Sequence, residues 1–410
     1  MTPLALVLWS ALGLVGYAYA GYPAVVLALA RLRANPTRRG PVTPAMTVVI
    51  AVHNEEAHIA AKIENCLALA YPPDRLDLVV VSDGSVDRTA TIVSDYAARF
   101  PGRVALVSVP RRRGKAAALG AGVARASGEI VLLADARQQL DPGVANALAS
   151  NFADAAVGAV SGELILRSAG GDGQGESLGL YWRYEKAIRL AESRWGSSMG
   201  YTGAVSAIRR DLFDPLPDDT LVDDLVVPLR LIAKGYRVVF EPRAIAYDTT
   251  SVVPGREFAR KVRTLAGVLQ TCFSARALVG RLPMRVWWQL LSHKLLRLVV
   301  PYLLVIIFLA TALLHGPVYR VALAVQIALY ALGFAGLVVP GGIARSRLFA
   351  VPSTFLLLNG AAVVAAFRYA VGNRLDLWRT APDPPEAGAR PGGEPANLRR
   401  ATPPKRERVG

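Results

Sequence analysis

Charged side chains follow four short apolar runs in the first half of the sequence. His53 and Glu55 come after the first run, Asp83 after the second, Lys115 after the third and Asp135 after the fourth. A carboxylate can accept a hydrogen bond from a nucleotide base, and a cation at a helix start can bind a diphosphate. Polar residues are common in loops, but that tendency does not explain a charged group after all four runs. The pattern predicts a site for a phosphate-bearing ligand.

Such a site needs a scaffold that brings the ends of the four runs together. The runs are rich in β-branched residues and are predicted to be buried strands: Met46–Val52, Leu76–Val81, Val104–Val109 and Glu129–Ala134. Helical stretches separate them: Ala57–Ala70, Asp87–Arg99 and Lys115–Ala126. This alternation predicts an α/β fold with a mostly parallel, Rossmann-like sheet. Ligands bind such sheets at the carboxyl ends of the strands, where the charged residues lie.

The N-terminal stretch of the sequence is long enough to cross a membrane. Residues 2–30 carry no charge, and a span needs about 20 apolar residues. A signal peptide is the alternative, but it would begin with basic residues, which are absent here. We therefore expect an uncleaved anchor. The basic residues that follow place the chain from residue 40 onward in the cytosol: Arg31, Arg33, Arg38 and Arg39.

Three further uncharged stretches, at 298–319, 321–344 and 348–367, are also long enough to span. Three crossings after a cytosolic domain would leave the C-terminal tail outside. The tail is basic, and basic segments favour the cytosolic side. One of the late stretches could instead be re-entrant or interfacial, and the sequence leaves this choice open.

The charge distribution favours a membrane surface over nucleic acid as partner. The net charge is +16, and residues 254–297 hold nine Lys or Arg against one acid, just before an apolar stretch. Trp287 and Trp288 in this segment suit a membrane interface. The two cysteines match neither a metal site nor a disulfide spacing.

These patterns divide the chain into five expected segments. They are an N-terminal transmembrane helix at 1–32, a cytosolic α/β domain at 45–250, amphipathic interfacial helices at 251–296, about three transmembrane helices at 297–372, and a disordered basic tail at 380–410. We expect a multi-pass protein of the plasma membrane with the 45–250 domain in the cytoplasm.

Five motifs in order resemble those of the family 2 glycosyltransferases, which have a GT-A fold. They are Val-His-Asn-Glu-Glu (52–56), Ser-Asp-Gly-Ser-Val-Asp-Arg-Thr (82–89), Arg-Gly-Lys-Ala-Ala-Ala-Leu (113–119), Asp-Ala-Arg (135–137) and Val-Asp-Asp-Leu (222–225). The resemblance covers about 45–265. The membrane arrangement is similar to that of the polysaccharide-synthase branch, which includes cellulose, hyaluronan and poly-N-acetylglucosamine synthases.

The resemblance implies a nucleotide-sugar site, with UDP as the expected nucleotide. Asp83 would contact the base and Lys115 the diphosphate, while the remaining donor-binding residues would be His53, Glu55, Asp135 and Arg137. Asp135 matches the first acid of the family's metal-binding Asp-x-Asp motif, and Arg137 stands in place of the second. Either Mg²⁺ or Mn²⁺ still binds through Asp135, the diphosphate and water, or Arg137 partly replaces the metal. We expect the metal to be retained.

The resemblance also implies an acceptor side and a catalytic base. Asp224 matches the general base that takes the proton from the acceptor hydroxyl, so one displacement would invert the anomeric carbon. Asp223 would orient the site, although both acids could simply cap a helix. Tyr201 and Thr202 could contact the acceptor or form a turn. Arg260 and Arg263 would hold the diphosphate or a phosphate-bearing lipid, or else contact anionic headgroups.

Two hypotheses of function follow. The first is an inverting glycosyltransferase that uses a nucleotide-sugar donor and a glycan or lipid-linked acceptor, with membrane lipids as surroundings. The processive motif Gln-x-x-Arg-Trp is incomplete at Arg260–Thr264, which argues against polymer synthesis, whereas the three late spans argue for it. The second is a catalytically impaired, membrane-anchored protein for nucleotide-sugar binding or polysaccharide assembly.

Overall fold

An eight-stranded sheet lies at the centre of the protein. The computed structural model describes residues 2–166, 173–248, 254–338 and 346–372, so the predicted tail at 380–410 lies outside the described residues. The strand order is β3-β2-β1-β4-β7-β6-β8-β5. The strands are β1 (Met46–Val52), β2 (Leu76–Asp83), β3 (Val104–Val109), β4 (Ile130–Ala134), β5 (Gln139–Leu140), β6 (Val157–Leu166), β7 (Val205–Arg209) and β8 (Arg237–Asp248). The predicted α/β class with a mostly parallel sheet is confirmed.

The four predicted strands are β1 to β4, and they form the parallel half of the sheet. Strand β1 pairs with β2 and β4, and β2 pairs with β3, all in parallel. Every residue of β1 is buried, as expected for a strand covered on both faces. Their carboxyl ends lie along one edge of the sheet. The other half is joined through an antiparallel pairing of β4 with β7.

Helices cover both faces of the sheet. The helices around the sheet are α3 (Ile59–Leu67), α4 (Thr89–Arg99), α5 (Lys115–Arg125), α6 (Val144–Ala149) and α8 (Asp223–Ala233). Alternate residues of a strand face opposite sides. Val48 and Ile50 therefore join a core with Ile59 of α3, whereas Val49 joins a second core with Leu119 of α5. The two cores fix the helix starts relative to the strand ends.

Four helical stretches are long and apolar enough to cross a membrane. They are Pro3–Leu32, which comprises α1 (Pro3–Gly16), a π-helical turn and α2 (Tyr22–Leu32); Met284–Leu313, which comprises α11 (Met284–Gln289), a π-helical turn at Leu290–Leu295 and α12 (Leu296–Leu313); α13 (Pro317–Val338); and Leu348–Ala370 within α14 (Arg347–Ala370). Each of the four predicted stretches has its counterpart, although residues 339–344 of the third lie outside the described part.

Three helices connect the sheet to these apolar helices. They are α7 (Gly173–Trp195), α9 (Pro254–Ser274) and α10 (Arg276–Val279). Helix α7 packs on α2 and α14, and α9 packs on α8 and α14. Gly267 makes one of these contacts possible, because a Cβ atom there would lie 2.6 Å from a side-chain carbon of Val222. The start of α8 is thereby held against the helices that face the membrane segments.

Candidate active site

Asp83, at the end of β2, is fully buried and holds the loop that leads into α5. Its Oδ1 accepts a hydrogen bond from the backbone N–H of Arg113 at 2.8 Å, and its Oδ2 accepts one from Gly114 at 2.7 Å. The next residue, Gly84, has φ +63°, and a Cβ atom there would lie 2.5 Å from the nitrogen of Arg112. Only glycine permits this approach. Contact of Asp83 with a nucleotide base stays a prediction.

Lys115 and Asp135 form an ion pair between the start of α5 and the end of β4. Lys115 Nζ donates to Asp135 Oδ1 at 2.7 Å. Burial lowers the pKa of Lys115, but the carboxylates of Asp135, Asp223 and Asp224 outweigh that effect and hold the pKa above its usual value. The predicted diphosphate-binding lysine thus stays charged and lies among the predicted metal-binding and catalytic acids.

Glu55 and Arg137, both predicted to bind the donor, contact each other. Glu55 is only 3% exposed, and its Oε1 accepts from Arg137 Nε at 2.9 Å. His58 Nδ1 lies 3.1 Å from the other carboxylate oxygen. Next to this pair, His53 Nδ1 donates to the carbonyl oxygen of Asp83 at 2.7 Å. Glu55 therefore compensates the positive charge of Arg137, which stands where the family's Asp-x-Asp motif has its second acid.

Asp224 lies in the first turn of α8, directly after the buried Asp223. Its backbone oxygen accepts from the N–H of Tyr201 at 3.0 Å, which holds the loop before β7 against α8. Burial and the neighbouring Asp223 carboxylate raise the pKa of Asp224 to about 6, although Lys115 and Arg263 act in the opposite direction. The structure therefore brings Asp224 to the Lys115–Asp135 pair, as the sequence predicted.

The residues predicted for the acceptor side divide into two groups. Tyr201 is 4% exposed, lines a cavity next to Asp224, and has no hydrogen-bond partner for its hydroxyl within the described part of the chain. Arg263 lies close enough to act on the Asp224 carboxylate. Thr202 instead donates to the carbonyl oxygen of Gly162 at 2.8 Å and so ties its loop to β6. Arg260 lies on the exposed surface of α9.

The cavity beside Asp224 has a volume of about 260 Å³ and reaches from the sheet domain to the apolar helices. Its walls include Trp182 of α7, Thr264 of α9, Lys294 of the π-helical turn at Leu290–Leu295, and Asn359 of α14. Lys261 Nζ lies 5.6 Å from the centre of the Trp182 ring. Thr264 occupies the place of the tryptophan in the processive motif, and the structure supplies an indole to the same cavity from a different helix.

A buried charge cluster in the wall of this cavity was missed from the sequence. His293, in the π-helical turn, has Nδ1 2.7 Å from Glu192 and Nε2 3.1 Å from Glu185. Arg297 also binds Glu185, and the Tyr22 hydroxyl donates to Glu192 at 2.5 Å. The two glutamates are seven residues apart, hence on one face of α7. That spacing, with a histidine in an apolar helix, was the available signal.

The site offers little to a metal ion beyond Asp135. No group of three His, Cys, Asp or Glu side chains suitable for a metal occurs among residues 2–166, 173–248, 254–338 and 346–372. Magnesium and manganese favour carboxylate and phosphate oxygens and often use few protein ligands. Because Arg137 is held against Glu55, the residues fit a cation bound through Asp135 and mainly by the donor's diphosphate.

Known proteins share this domain and its fold. A model of glycosyl transferase family 2 matches residues 47–216. Curated relatives include the probable glycosyltransferase YdaM of Bacillus subtilis (strain 168), 27% identical over 212 residues and 50% of each chain. Another is the poly-beta-1,6-N-acetyl-D-glucosamine synthase of Staphylococcus aureus (strain COL), 26% identical over 231 residues and 54% of each chain. The chain therefore spans about half the length of the curated relatives it matches.

A solved structure extends the likeness in fold. A mannosyltransferase from Pyrobaculum calidifontis, in complex with GDP-Man and Mn²⁺, has a TM-score of 0.70 at 24% identity, over 90% of this chain and 99% of that one. The fold, the order of the motifs and the family match agree. Residues 47–216 form a family 2 glycosyltransferase domain with a GT-A fold, joined to four helices that are apolar enough to span a membrane.

Proposed function

We propose that the protein is an inverting glycosyltransferase that moves a sugar from a nucleotide-sugar to an acceptor hydroxyl. One observation carries the proposal: Asp224 lines the cavity and lies close enough to act electrostatically on Lys115, the partner of Asp135, while burial and Asp223 raise the pKa of Asp224 to about 6. A carboxylate with this pKa is mostly deprotonated near neutral pH and is a stronger base than an ordinary aspartate. The donor site and an acceptor site thus meet at one base.

The reaction is a single displacement. The acceptor oxygen attacks the anomeric carbon, its proton passes to the Asp224 carboxylate, and the bond from the anomeric carbon to the diphosphate breaks. The nucleoside diphosphate leaves with an additional negative charge, which the Lys115 ammonium stabilises. Asp223 keeps the charge of Asp224 unfavourable and so strengthens the base. The attack and the departure occur on opposite faces, so the anomeric configuration inverts.

Asp135 would hold a divalent cation, Mg²⁺ or Mn²⁺, together with the donor's diphosphate. The cation would supply positive charge to the leaving group. Lys115 already neutralises part of Asp135, and Arg137 is directed to Glu55, so the metal would depend on the donor for most of its ligands. Titration with a chelator tests this assignment, and full transfer in excess chelator would contradict it.

The membrane placement supports a reaction at the cytosolic face of the plasma membrane. Basic residues follow the first apolar helix and precede the second, which favours a cytosolic domain between them.

Nucleotide-sugars with UDP and GDP are both reasonable donors to test, because the similar mannosyltransferase was solved with GDP-Man and the Staphylococcus relative is named for a polymer of N-acetylglucosamine.

The test is a panel of nucleotide-sugars incubated with the full-length protein in membranes, with analysis of nucleotide release and of the product. Asp224→Asn should lower transfer at least about 100-fold and leave donor binding nearly unchanged. Asp95→Asn, an exposed acid on α4, is the matched control and should retain activity. If the native protein binds donors but neither transfers nor hydrolyses any of them, the alternative of an impaired binding or assembly protein is correct.

A further inference from the structure

The cavity beside Asp224 is built by the membrane helices as much as by the catalytic domain. Tyr19 comes from the first apolar stretch, Lys294 from the second and Asn359 from the last. The remaining wall includes apolar side chains of α9 and α14, among them Leu265 and Leu358. A ligand in the cavity would therefore touch the catalytic base on one side and lipid-facing helices on the other.

Lys294 is an ammonium group without a hydrogen bond or ion pair in the described part of the chain. Its neighbours have partners: Arg297 binds Glu185, and Arg189 donates to Ser161 and Thr202. Charged groups in an apolar helix are costly and mark functional positions. Glu185, Glu192 and Asp224 are near enough for Lys294 to act on them electrostatically, but none of these three described side chains forms an ion pair with it within 4.0 Å. The Lys294 ammonium therefore has no direct partner in the cavity among the described residues, and an anionic group of a ligand can bind it there.

Two buried polar atoms in the same cavity also lack a hydrogen-bond partner among the described residues. They are the Tyr201 hydroxyl, on a side chain that is 4% exposed, and the Trp182 Nε1. Buried donors are nearly always satisfied in folded proteins. Both can donate to an oxygen atom. Together with Lys294, they indicate a ligand with several oxygen acceptors and a negative charge.

We propose that the cavity binds the headgroup of a phosphate-bearing lipid acceptor, with the phosphate at Lys294, a hydroxyl at Asp224 and the tail along the membrane helices. The inference rests on the proposed function and names its acceptor class. In the transfer, the headgroup hydroxyl forms the bond to the anomeric carbon, its proton goes to Asp224, and the nucleoside diphosphate leaves. The tail remains among the apolar side chains.

The size of the cavity favours a lipid headgroup over a growing glycan. Its volume, about 260 Å³, lies just below the range of about 300–1,000 Å³ that drug-sized ligands occupy. That space suits one small headgroup, and a chain of several sugars would exceed it. A lipid needs no more room, because its tail lies between helices that are apolar enough for the membrane.

Binding can be measured without the donor. The probes are dodecyl phosphate, dodecyl glucoside and inorganic phosphate, added to the purified full-length protein in nanodiscs and followed by tryptophan fluorescence and thermal stability. The native protein should bind dodecyl phosphate at least about tenfold more tightly than either other probe. Lys294→Gln should remove this preference, and Lys294→Arg should keep most of it. Lys234→Gln is the matched control, because Lys234 lies outside the cavity and pairs with Asp214 at 2.7 Å.

The results separate this inference from the proposed function. Equal affinity for dodecyl phosphate and dodecyl glucoside, or an unchanged preference in Lys294→Gln, would overturn the phosphate site. Equal binding of inorganic phosphate would overturn the lipid assignment. Failure of the glycosyltransferase proposal would appear separately, as absence of nucleotide-sugar turnover while the lipid phosphate still binds.

Discussion

The proposed chemistry depends on the carboxylate of Asp224. The surroundings of this carboxylate predict how transfer varies with pH. The carboxylate must be deprotonated to accept a proton, and its pKa is raised to about 6. Transfer, measured as kcat/KM, should therefore fall about tenfold per pH unit below that value and level off above it. Asp223→Asn removes a neighbouring negative charge and should move the midpoint to lower pH. A flat profile through this range, with the fold intact, would contradict the assignment.

Arg137 should resist replacement by the acid that the family motif has at this place. Arg137→Asp would remove the cation from Glu55, which is 3% exposed, and add a like charge beside it. We expect the free energy of unfolding to fall by about 1–3 kcal/mol. The contact of Glu55 with His58 remains and should limit this loss. The double variant Glu55→Gln, Arg137→Asp should recover part of that loss. Thermal and denaturant unfolding measure the stability of the single and the double variant. An Arg137→Asp protein as stable as the native one would refute a stabilising role of the Glu55–Arg137 pair.

From the sequence, candidate site residues could be named, but not all of the contacts that they make. Lys115 and Asp135 were expected at one sheet edge because parallel strands present their carboxyl ends together, whereas Asp224 was implied there by the family resemblance. The contact of Glu55 with Arg137 had no such signal, since it depends on how two loops approach each other. For the same reason the cluster around His293, which joins three distant parts of the chain, was missed.

At the scale of elements, a strand or helix was predicted correctly where its own sequence carried a clear local pattern. Strands β1 to β4 are short, continuous apolar runs between helices with regular spacing, and their predicted ends lie within two residues of those observed. Strands β5, β6 and β8 were not predicted, because β5 has only two residues and the pairing of β6 with β8 contains register shifts. Helix α7 was also missed, because it buries charged residues that a sequence pattern assigns to a solvent-facing surface.

The contact of α9 with α8 predicts that Gly267 controls the position of Asp224. An added Cβ atom would lie 2.6 Å from Val222, the residue before the two acids. Gly267→Ala should lower kcat and destabilise the fold by about 1–3 kcal/mol, because the packed Val222 must shift. Gly120→Ala in α5 is the control, since nothing lies within 4 Å of its Cβ position, and it should be neutral or stabilising. Equal effects of the two substitutions on kcat would argue against a positioning role for the α8–α9 contact.

At the scale of the whole molecule, buried contacts join the sheet domain to the apolar helices. Tyr22 of the first apolar helix binds Glu192 of α7, and His293 of the second binds the same glutamate. Helix α9 packs on α14 and carries Gly267 against the start of α8. Asp223 and Asp224, at the start of α8, are therefore held by elements that contact the apolar helices. The proposed mechanism therefore depends on how the apolar helices are oriented.

The arrangement of basic residues predicts which loops face the cytosol. In a Cys272→Ser background, where Cys66 is buried, single cysteines can be labelled with a membrane-impermeant maleimide. Asp95→Cys in the catalytic domain should react only after permeabilisation, and the exposed His315→Cys between α12 and α13 should react in intact cells. Val371→Cys, just after α14, should also react in intact cells if both α13 and α14 cross, and protection there would show that one does not. Labelling of Asp95→Cys in intact cells, with His315→Cys protected, would invert the orientation and remove cytosolic nucleotide-sugars as donors.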